Sequence, residues 1–332
     1  MKKITLSHGS GGRLMHELIK GLFIKNLDNP YLNKLGDSAL IHAKNKDLAY
    51  TTDSFVISPI FFPGGDIGKL SVCGTVNDLC VSGANPRYLS CGMIVEEGFD
   101  YSDLERITLS IKQTCKKAGV YVVAGDFKVV EKGSADRIFI NTSGIGELYD
   151  NARISSSRIR PGDKVIISGT IGDHGAAVLL AREELKFKSR ISSDCACLND
   201  LVSSIISSDV KFMRDPTRGG LATTLNEIAQ EIGYNIGIDE KTLPVKESVM
   251  ALCEILGLEP LYMANEGKVV LVVSSKSASR ILSRIKKHDL GRGARIIGEI
   301  DREKGKKVYL KTKIGSSRIL DMLIGEHLPR IC

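Results

Sequence analysis

Apolar residues at positions 14, 15, 18, 19, 22 and 23 recur with a helical period, so a helix is predicted near the start of the chain. Runs rich in Val, Ile and Thr predict strands at 39–43, 49–52, 120–124 and 138–142. Further along, 164–168 and the strongly apolar 269–273 read as strands, and 68–81, 176–185 and 220–231 as helices. Alternation of the two kinds of segment predicts an α/β or mixed α+β fold. The polar stretch 151–161, followed by a turn at Pro161-Gly162-Asp163, sets a boundary between a domain over 1–150 and one over 151–320. Residues 321–332 follow no period, and Pro329 resists helix, so a flexible tail is expected there.

Composition narrows the field. A length of 332 residues suits two domains, and 42% hydrophobic with 26% charged residues is a globular balance. With no Trp and 5% aromatic residues, stacking platforms for single-stranded nucleic acid are not expected. The net charge of +7 comes from basic residues interleaved with acidic ones. The densest basic run, 304–313, reads as a solvated hairpin turning at Gly305, not as a nucleic-acid patch. No apolar stretch resembles a signal peptide or approaches the roughly 20 residues that span a bilayer, so a cytoplasmic protein is expected. The eight cysteines contain no CxxC pair, which fits reduced thiols better than a zinc site.

Four groups of residues carry candidate chemistry. His8-Gly9-Ser10-Gly11-Gly12-Arg13 precedes the first helix, where glycine N–H groups and a helix N-terminus suit an anion, although such a run taken alone is more often just a turn. Asp37, Asp53, Asp78 and Asp126 lie at segment ends or within apolar segments, where converging carboxylates and a triphosphate suit Mg²⁺. Each could instead cap a helix or turn. The loop 61–69, with Asp66 and Lys69, reads either as a cover over a nucleotide or as a turn into helix 68–81. Asp215-Pro216-Thr217-Arg218-Gly219-Gly220 and the run 168–175, which contains His174, are further candidates for holding phosphate. Glu266, ahead of an apolar strand, is either a base or a surface cap. Cys332, the last residue, is a chemically exposed thiol if its tail is free.

These runs resemble one family. HGSGGRLMHEL, FFPGGDIGKLSVCGTVNDLCVSGANP, AGDFKVVEKG, SGTIGDHGAAVL, DPTRGGLATTLNEIA, ANEGKVV and the terminal PRIC are similar to the HypE family, the carbamoyl dehydratases of nickel–iron hydrogenase maturation. Aminoimidazole ribonucleotide synthetase, selenophosphate synthetase and thiamine-monophosphate kinase share that scaffold. The resemblance covers essentially the whole chain and implies a homodimer whose N-terminal sheets join into a barrel, with ATP and Mg²⁺ bound between domains. It implies that a HypF-type carbamoyltransferase loads Cys332, that ATP-dependent dehydration yields a thiocyanate, and that cyanide passes to iron on a HypC–HypD complex. Carried onto this chain, the catalytic residues are Cys332, Lys128 and Glu266. The nucleotide residues are His8, Gly9, Gly11, Gly12, Asp37, Asp53, Asn77, Asp78, Gly125, Asp126, Lys128 and Asp215, with Asp37, Asp53, Asp78 and Asp126 at the metal. The chain departs from the family pattern at Phe127, where Gly-Asp-Thr-Lys is usual, so a metal-ligand role for residue 127 is not expected. A selenophosphate synthetase would carry a cysteine near the opening loop, but the first here is Cys73. A non-catalytic adaptor, with the tail thiol as a docking group, is the alternative from another class.

Overall fold

Residues 3–5, 17–29, 33, 47–182, 190–322 and 330–332 are described by a computed structural model of the chain. The predicted strand at 39–43, the opening glycine loop and Asp37 lie outside them. The described part of the predicted first helix runs over 17–27, with a π-helical turn at Ile19–Ile24.

The first half is a four-stranded sheet of β1 (Leu48–Phe55), β2 (Ala84–Glu96), β3 (Tyr121–Val130) and β4 (Ile138–Leu148), in the order β1-β4-β2-β3. Only β2 and β3 run parallel. Such a pair needs a crossover, and helix α2 (Tyr101–Ala118) provides it, ending at Gly119 with φ 68°. Helix α1 (Ile67–Val81) is buried over nearly its whole length, because it lies between this sheet and the second half of the chain. The pleat sorts the strand residues onto two faces. Asp53, Thr142, Cys91 and Gly125 lie in one register row, and Thr142 meets Thr75 of α1 at 2.5 Å, so this row faces the helices. The next row, Ser54, Asn141, Gly92 and Asp126, faces the opposite way, as do Ile94 and its register partner Lys128. On that open face Tyr50 and Ile94 are exposed.

The second half is a seven-stranded sheet of β5 (Lys164–Ile167), β6 (Val210–Arg214), β7 (Tyr234–Asp239), β8 (Val270–Val273), β9 (Arg295–Lys304), β10 (Val308–Lys311) and β11 (Ser317–Leu320). Its order is β11-β10-β7-β9-β5-β8-β6. The central strands β5 and β8 are buried on both faces, which explains their unbroken Val and Ile runs. Helices α3 (Asp173–Ala181), α4 (Asn199–Ile205), α5 (Gly220–Ile232), α6 (Glu247–Leu256) and α7 (Ala278–Lys286) surround it. Leu221, Leu225 and Ile228 of α5 pack on one face with Val272 and Ile236. The other core runs through Leu271, Ile285 and Val202 into Cys73 and Val76 of α1, joining the two halves.

The basic run 304–313 is not a hairpin. β9 and β10 lie on either side of β7, with Lys304 opposite Tyr234 and Val308 opposite Ile236. The chain crosses the end of β7 at Gly305, where a Cβ would come within 2.0 Å of the Asn235 Oδ1 that accepts from the Lys307 N–H. Among the described residues no helix is long and apolar enough to cross a membrane.

Candidate active site

A cleft of about 210 Å³ opens at the junction of the two halves, lined by Asp53, Asp78, Asp215, Arg218, Glu266 and Cys332 among others. Each arrives there for a local reason. Asp53 comes from the helix-facing row of β1, and Asp78 sits a turn from the end of α1. Asp215 directly follows β6 in a loop that turns through Gly219 and Gly220, at φ 76° and 61°. A Cβ on Gly220 would lie 2.6 Å from the carbonyls of Leu261 and Met263, so the loop's close approach needs glycine. Asn265 fixes the same neighbourhood: its Oδ1 accepts from Gly172 N at 2.7 Å, and its Nδ2 donates to Pro216 O at 3.0 Å.

The carboxyls crowd one another. Asp53 is pushed up to about 6 by burial and by the neighbouring Asp78 charge. Asp78 is also raised by burial, against a lowering contact from Thr51, whose hydroxyl donates to it at 2.8 Å. Asp215 is pushed up to about 7, by burial first and then by Asp78. Such a site gains from a cation. Among the described residues no three histidine, cysteine or carboxylate side chains form a ready-made metal cluster. A pair of hard carboxylates fits magnesium nonetheless, because that ion commonly takes one or two carboxylates and completes its shell with water and substrate phosphates.

Glu266 is buried, and its Oε1 has no hydrogen-bond partner. Burial pushes its carboxyl well up, and the nearby Cys332 adds to this. Its backbone is held tightly: Asp194 accepts from Glu266 N at 3.1 Å, and Asn77 Nδ2 donates to Glu266 O at 3.2 Å. Asp194 also pairs with Lys268 at 3.0 Å, and although burial raises it, that cation holds it below the usual carboxylate range. Glu266 is therefore an acid presented to the cleft, not a surface cap.

The end of the chain is seated, not free. Val56 N donates to Cys332 O at 3.1 Å and Ser58 N to Arg330 O at 3.2 Å, so the last three residues pair with the stretch after β1. Ile331 is buried, and Arg218 Nη2 lies 3.3 Å from Cys332 Sγ. The segment 323–329 is outside the described residues. All eight cysteines are unbridged, although Cys73 Sγ and Cys197 Sγ approach to 3.5 Å.

Several expected residues lie elsewhere. Asp126 and Lys128 pair with each other at 2.9 Å on the open face of the first sheet, so within one chain Asp126 cannot join Asp53 and Asp78. That pairing lowers the Asp126 carboxyl. Gly125 lies in the Asp53 row but at the far edge strand. Asn77 is buried, and its amide serves the backbone of Ala196, Leu198 and Glu266. Phe127 turns into the core and meets Phe23 edge-on at 5.6 Å. Asp66 caps α1 by accepting from Gly68 N and Lys69 N, while Lys69 donates to Gly64 O at 2.7 Å, which makes the loop 61–69 a turn. His174 faces Ile331 instead of a phosphate, with 2.8 Å between Nε2 and Ile331 O. His8, Gly9, Gly11, Gly12 and Asp37 are outside the described residues. Sequence reasoning missed Arg218 as a neighbour of the thiol and Arg182 as a donor to Arg330 O: the first was read within a phosphate-holding run and the second within a helix, and neither reading shows that the chain end folds back onto them.

Residues 35–148 match the N-terminal domain of AIR synthase related proteins, and residues 160–311 match the C-terminal domain. The chain is 47% identical to the carbamoyl dehydratase HypE of Bradyrhizobium diazoefficiens, over 99% of this chain and 96% of the relative. It is 44% identical to that of Escherichia coli over the whole of both chains. Among solved structures, a hydrogenase maturation protein HypE in complex with ATP has a TM-score of 0.95 and 46% identity, over 99% of each chain. A HypE–HypF complex gives a TM-score of 0.81 and 51% identity, over 92% of this chain and 99% of that one. Thiamine monophosphate kinase from Aquifex aeolicus, 20% identical with a TM-score of 0.63, shares the fold alone. The two domain matches, the full-length identities and the terminal thiol seated in an acidic cleft agree: the chain belongs to the HypE family of carbamoyl dehydratases.

Proposed function

We propose that the chain dehydrates a carboxamide carried on Cys332 to a thiocyanate, using ATP, and so supplies cyanide for the iron of a nickel–iron hydrogenase. The observation that carries this reading is the pairing of a terminal thiol with the buried, unpartnered carboxyl of Glu266 in one carboxylate-lined cleft. In the reaction, the carboxamide oxygen attacks the γ-phosphorus of ATP, and one N–H proton leaves. The products are ADP and an O-phosphorylated imidate. The C–O bond then breaks as the second N–H proton leaves, giving phosphate and S–C≡N. A carboxyl raised by burial is a stronger base once ionised, so Glu266 suits the acceptance of a nitrogen proton. Arg218, beside the sulfur, is placed to orient the thioester-like group. Asp53 and Asp78 would hold magnesium, with Asp215 beside them; bound with the nucleotide, it would neutralise charge on the phosphates.

His8, Gly9, Gly11 and Gly12 are the proposed phosphate residues on the strength of the glycine-rich motif, Asp37 belongs to the proposed magnesium set, and the relative solved with ATP supports the nucleotide. The relative solved with HypF supports a carbamoyltransferase as the partner that loads Cys332. A HypC–HypD complex is the proposed acceptor of cyanide. The open face of the first sheet, with Tyr50 and Ile94 exposed, suits a homodimer in which two such sheets meet. Lys128 and Asp126 lie on that face, so they would act at a cleft from a second copy of the chain.

Intact mass tests the reading directly. After carbamoyl loading, Mg-ATP should remove one water from the adduct on Cys332, and Cys332→Ala should carry no adduct. An adduct that forms but never loses water with ATP would leave the chain a carrier, not a dehydratase.

A further inference from the structure

The carbonyls of the docked tail alternate in direction. Those of Arg330 and Cys332 accept from Ser58 N and Val56 N, as in strand pairing. The carbonyl of Ile331 points the other way, into the second half of the chain, where backbone pairing cannot reach it. His174, fully buried on α3, meets it there at 2.8 Å.

The surrounding network fixes the imidazole tautomer. Ser193 Oγ accepts from Cys195 N at 3.0 Å and lies 2.8 Å from His174 Nδ1. Its single hydroxyl proton is free to point at Nδ1, which leaves the ring proton on Nε2 and aimed at Ile331 O. Phe62 packs edge-on against the ring, with centroids 5.3 Å apart and planes at 90°, and holds its orientation. Burial lowers the His174 pKa, which favours the neutral ring this arrangement needs. His174 touches no group that the proposed reaction changes, yet its one free donor is spent on the residue before the thiol.

We propose that His174 is a positioning residue, a latch whose Nε2–H holds Ile331 O and keeps Cys332 inside the cleft. The proposal rests on the reading that Cys332 carries the reacting group, since the tail must leave to be loaded and return for the ATP-dependent step. Each departure strands a buried donor on His174, so the inward state is favoured until a partner or a change at the thiol offsets that cost.

Two variants separate the latch from general packing. His174→Asn keeps an amide near Nδ1 for Ser193 but cannot reach Ile331, whereas His174→Gln places an amide N–H near Nε2. The readout is the rate at which iodoacetamide alkylates Cys332 in the full-length protein without nucleotide, located by peptide mass. His174→Asn should alkylate roughly tenfold faster than wild type, the effect of one lost hydrogen bond on the docked fraction. His174→Gln should restore the slow rate. In single-turnover assays His174→Asn should slow the loss of water from the loaded tail while leaving carbamoyl loading as fast or faster. Equal alkylation rates in folded His174→Asn and wild type would overturn the latch, whatever the dehydration assay reads. Should His174→Asn not fold, His174→Phe, which keeps a ring against Phe62 but has no donor for Ile331 O, takes its place with the same expectation. Faster alkylation together with no loss of water even in wild type would sink the dehydratase reading and leave the latch standing.

Discussion

Asn77 of α1 donates from Nδ2 to the backbone carbonyl of Glu266, 3.2 Å away and 189 positions along the chain. The same amide donates to Ala196 O at 3.1 Å and accepts from Leu198 N at 2.8 Å, so one buried side chain ties three backbone groups of the second half to the first. Asn77→Ala leaves Ala196 O and Leu198 N without this partner, and Glu266 O with only the longer contact from Ala196 N at 3.4 Å. Unfolding in urea should show a loss of about 2–3 kcal/mol. Dehydration should fall with it because Glu266 is no longer fixed, while nucleotide affinity by calorimetry should change little. A variant of normal stability that no longer binds nucleotide would make Asn77 a ligand instead.

Asp215 and Asp53, pushed up to about 7 and about 6, give the stability a pH dependence of definite sign. Their ordinary value is 3.8, so between pH 4 and 7 the folded state holds more protons than the unfolded one. The contribution is fully present below the unfolded value and is lost as pH rises through the folded values. Wild-type melting temperature should therefore drop between pH 5 and pH 8 more than in Asp215→Asn. The variant should gain on the order of 1–3 kcal/mol at pH 8 and almost nothing at pH 4. It should also lose dehydration, as expected of a carboxylate that works beside bound magnesium. Parallel melting curves for the two proteins across this range would remove the carboxylate-crowding account.

The opposite facing of Asp53 and Lys128 on one sheet makes a prediction about sharing between subunits. If the proposed dimer brings Lys128 to the partner's cleft, Lys128→Ala and Glu266→Ala should each be inactive alone. Mixed after reversible dissociation, they should recover about a quarter of wild-type activity, because half of the dimers are mixed and each has one intact cleft. Recovery measured by ATP-dependent loss of water from loaded protein is the check. No recovery, with mixed dimers verified by mass, would mean that Lys128 and Glu266 act in the same chain.

How far the sequence could be read depends on whether the deciding interaction is local. The Val- and Ile-rich β5 and β8 and the capped helix α1 were legible because period, apolar content and turn residues act over a few positions. Asp53, Asp78, Asp215, Glu266 and Cys332 were singled out individually and do meet in one cleft. The pleat of β3 was the obstacle for the metal set. Asp126 lies one residue beyond the Asp53 row, and that single step turns its side chain to the other face. The same step sends Phe127 inward. The run 304–313 looked like a hairpin because nothing local reveals that β7, some 70 positions earlier, inserts between its two strands. The docking of Ile331 by His174 spans 157 positions and leaves no periodic trace in either segment.

Phe127 offers the last test, because the resemblance read from the sequence leads one to expect a threonine there. The side chain is buried on the helix-covered face of β3 and meets Phe23 edge-on, at 5.6 Å and 62°. Threonine would leave a cavity and place a hydroxyl in an apolar pocket. Phe127→Thr should therefore destabilise the protein by about 2–4 kcal/mol, read from chemical denaturation. It should leave the magnesium dependence of ATP binding unchanged, since Phe127 packs on Phe23 at the edge strand and does not line the cleft that holds Asp53 and Asp78. A double variant with Phe23→Leu should lose less than the sum of the two single changes, because both remove the same ring contact. Additive losses would separate the two rings energetically, and a tighter magnesium requirement in Phe127→Thr would place residue 127 at the metal after all.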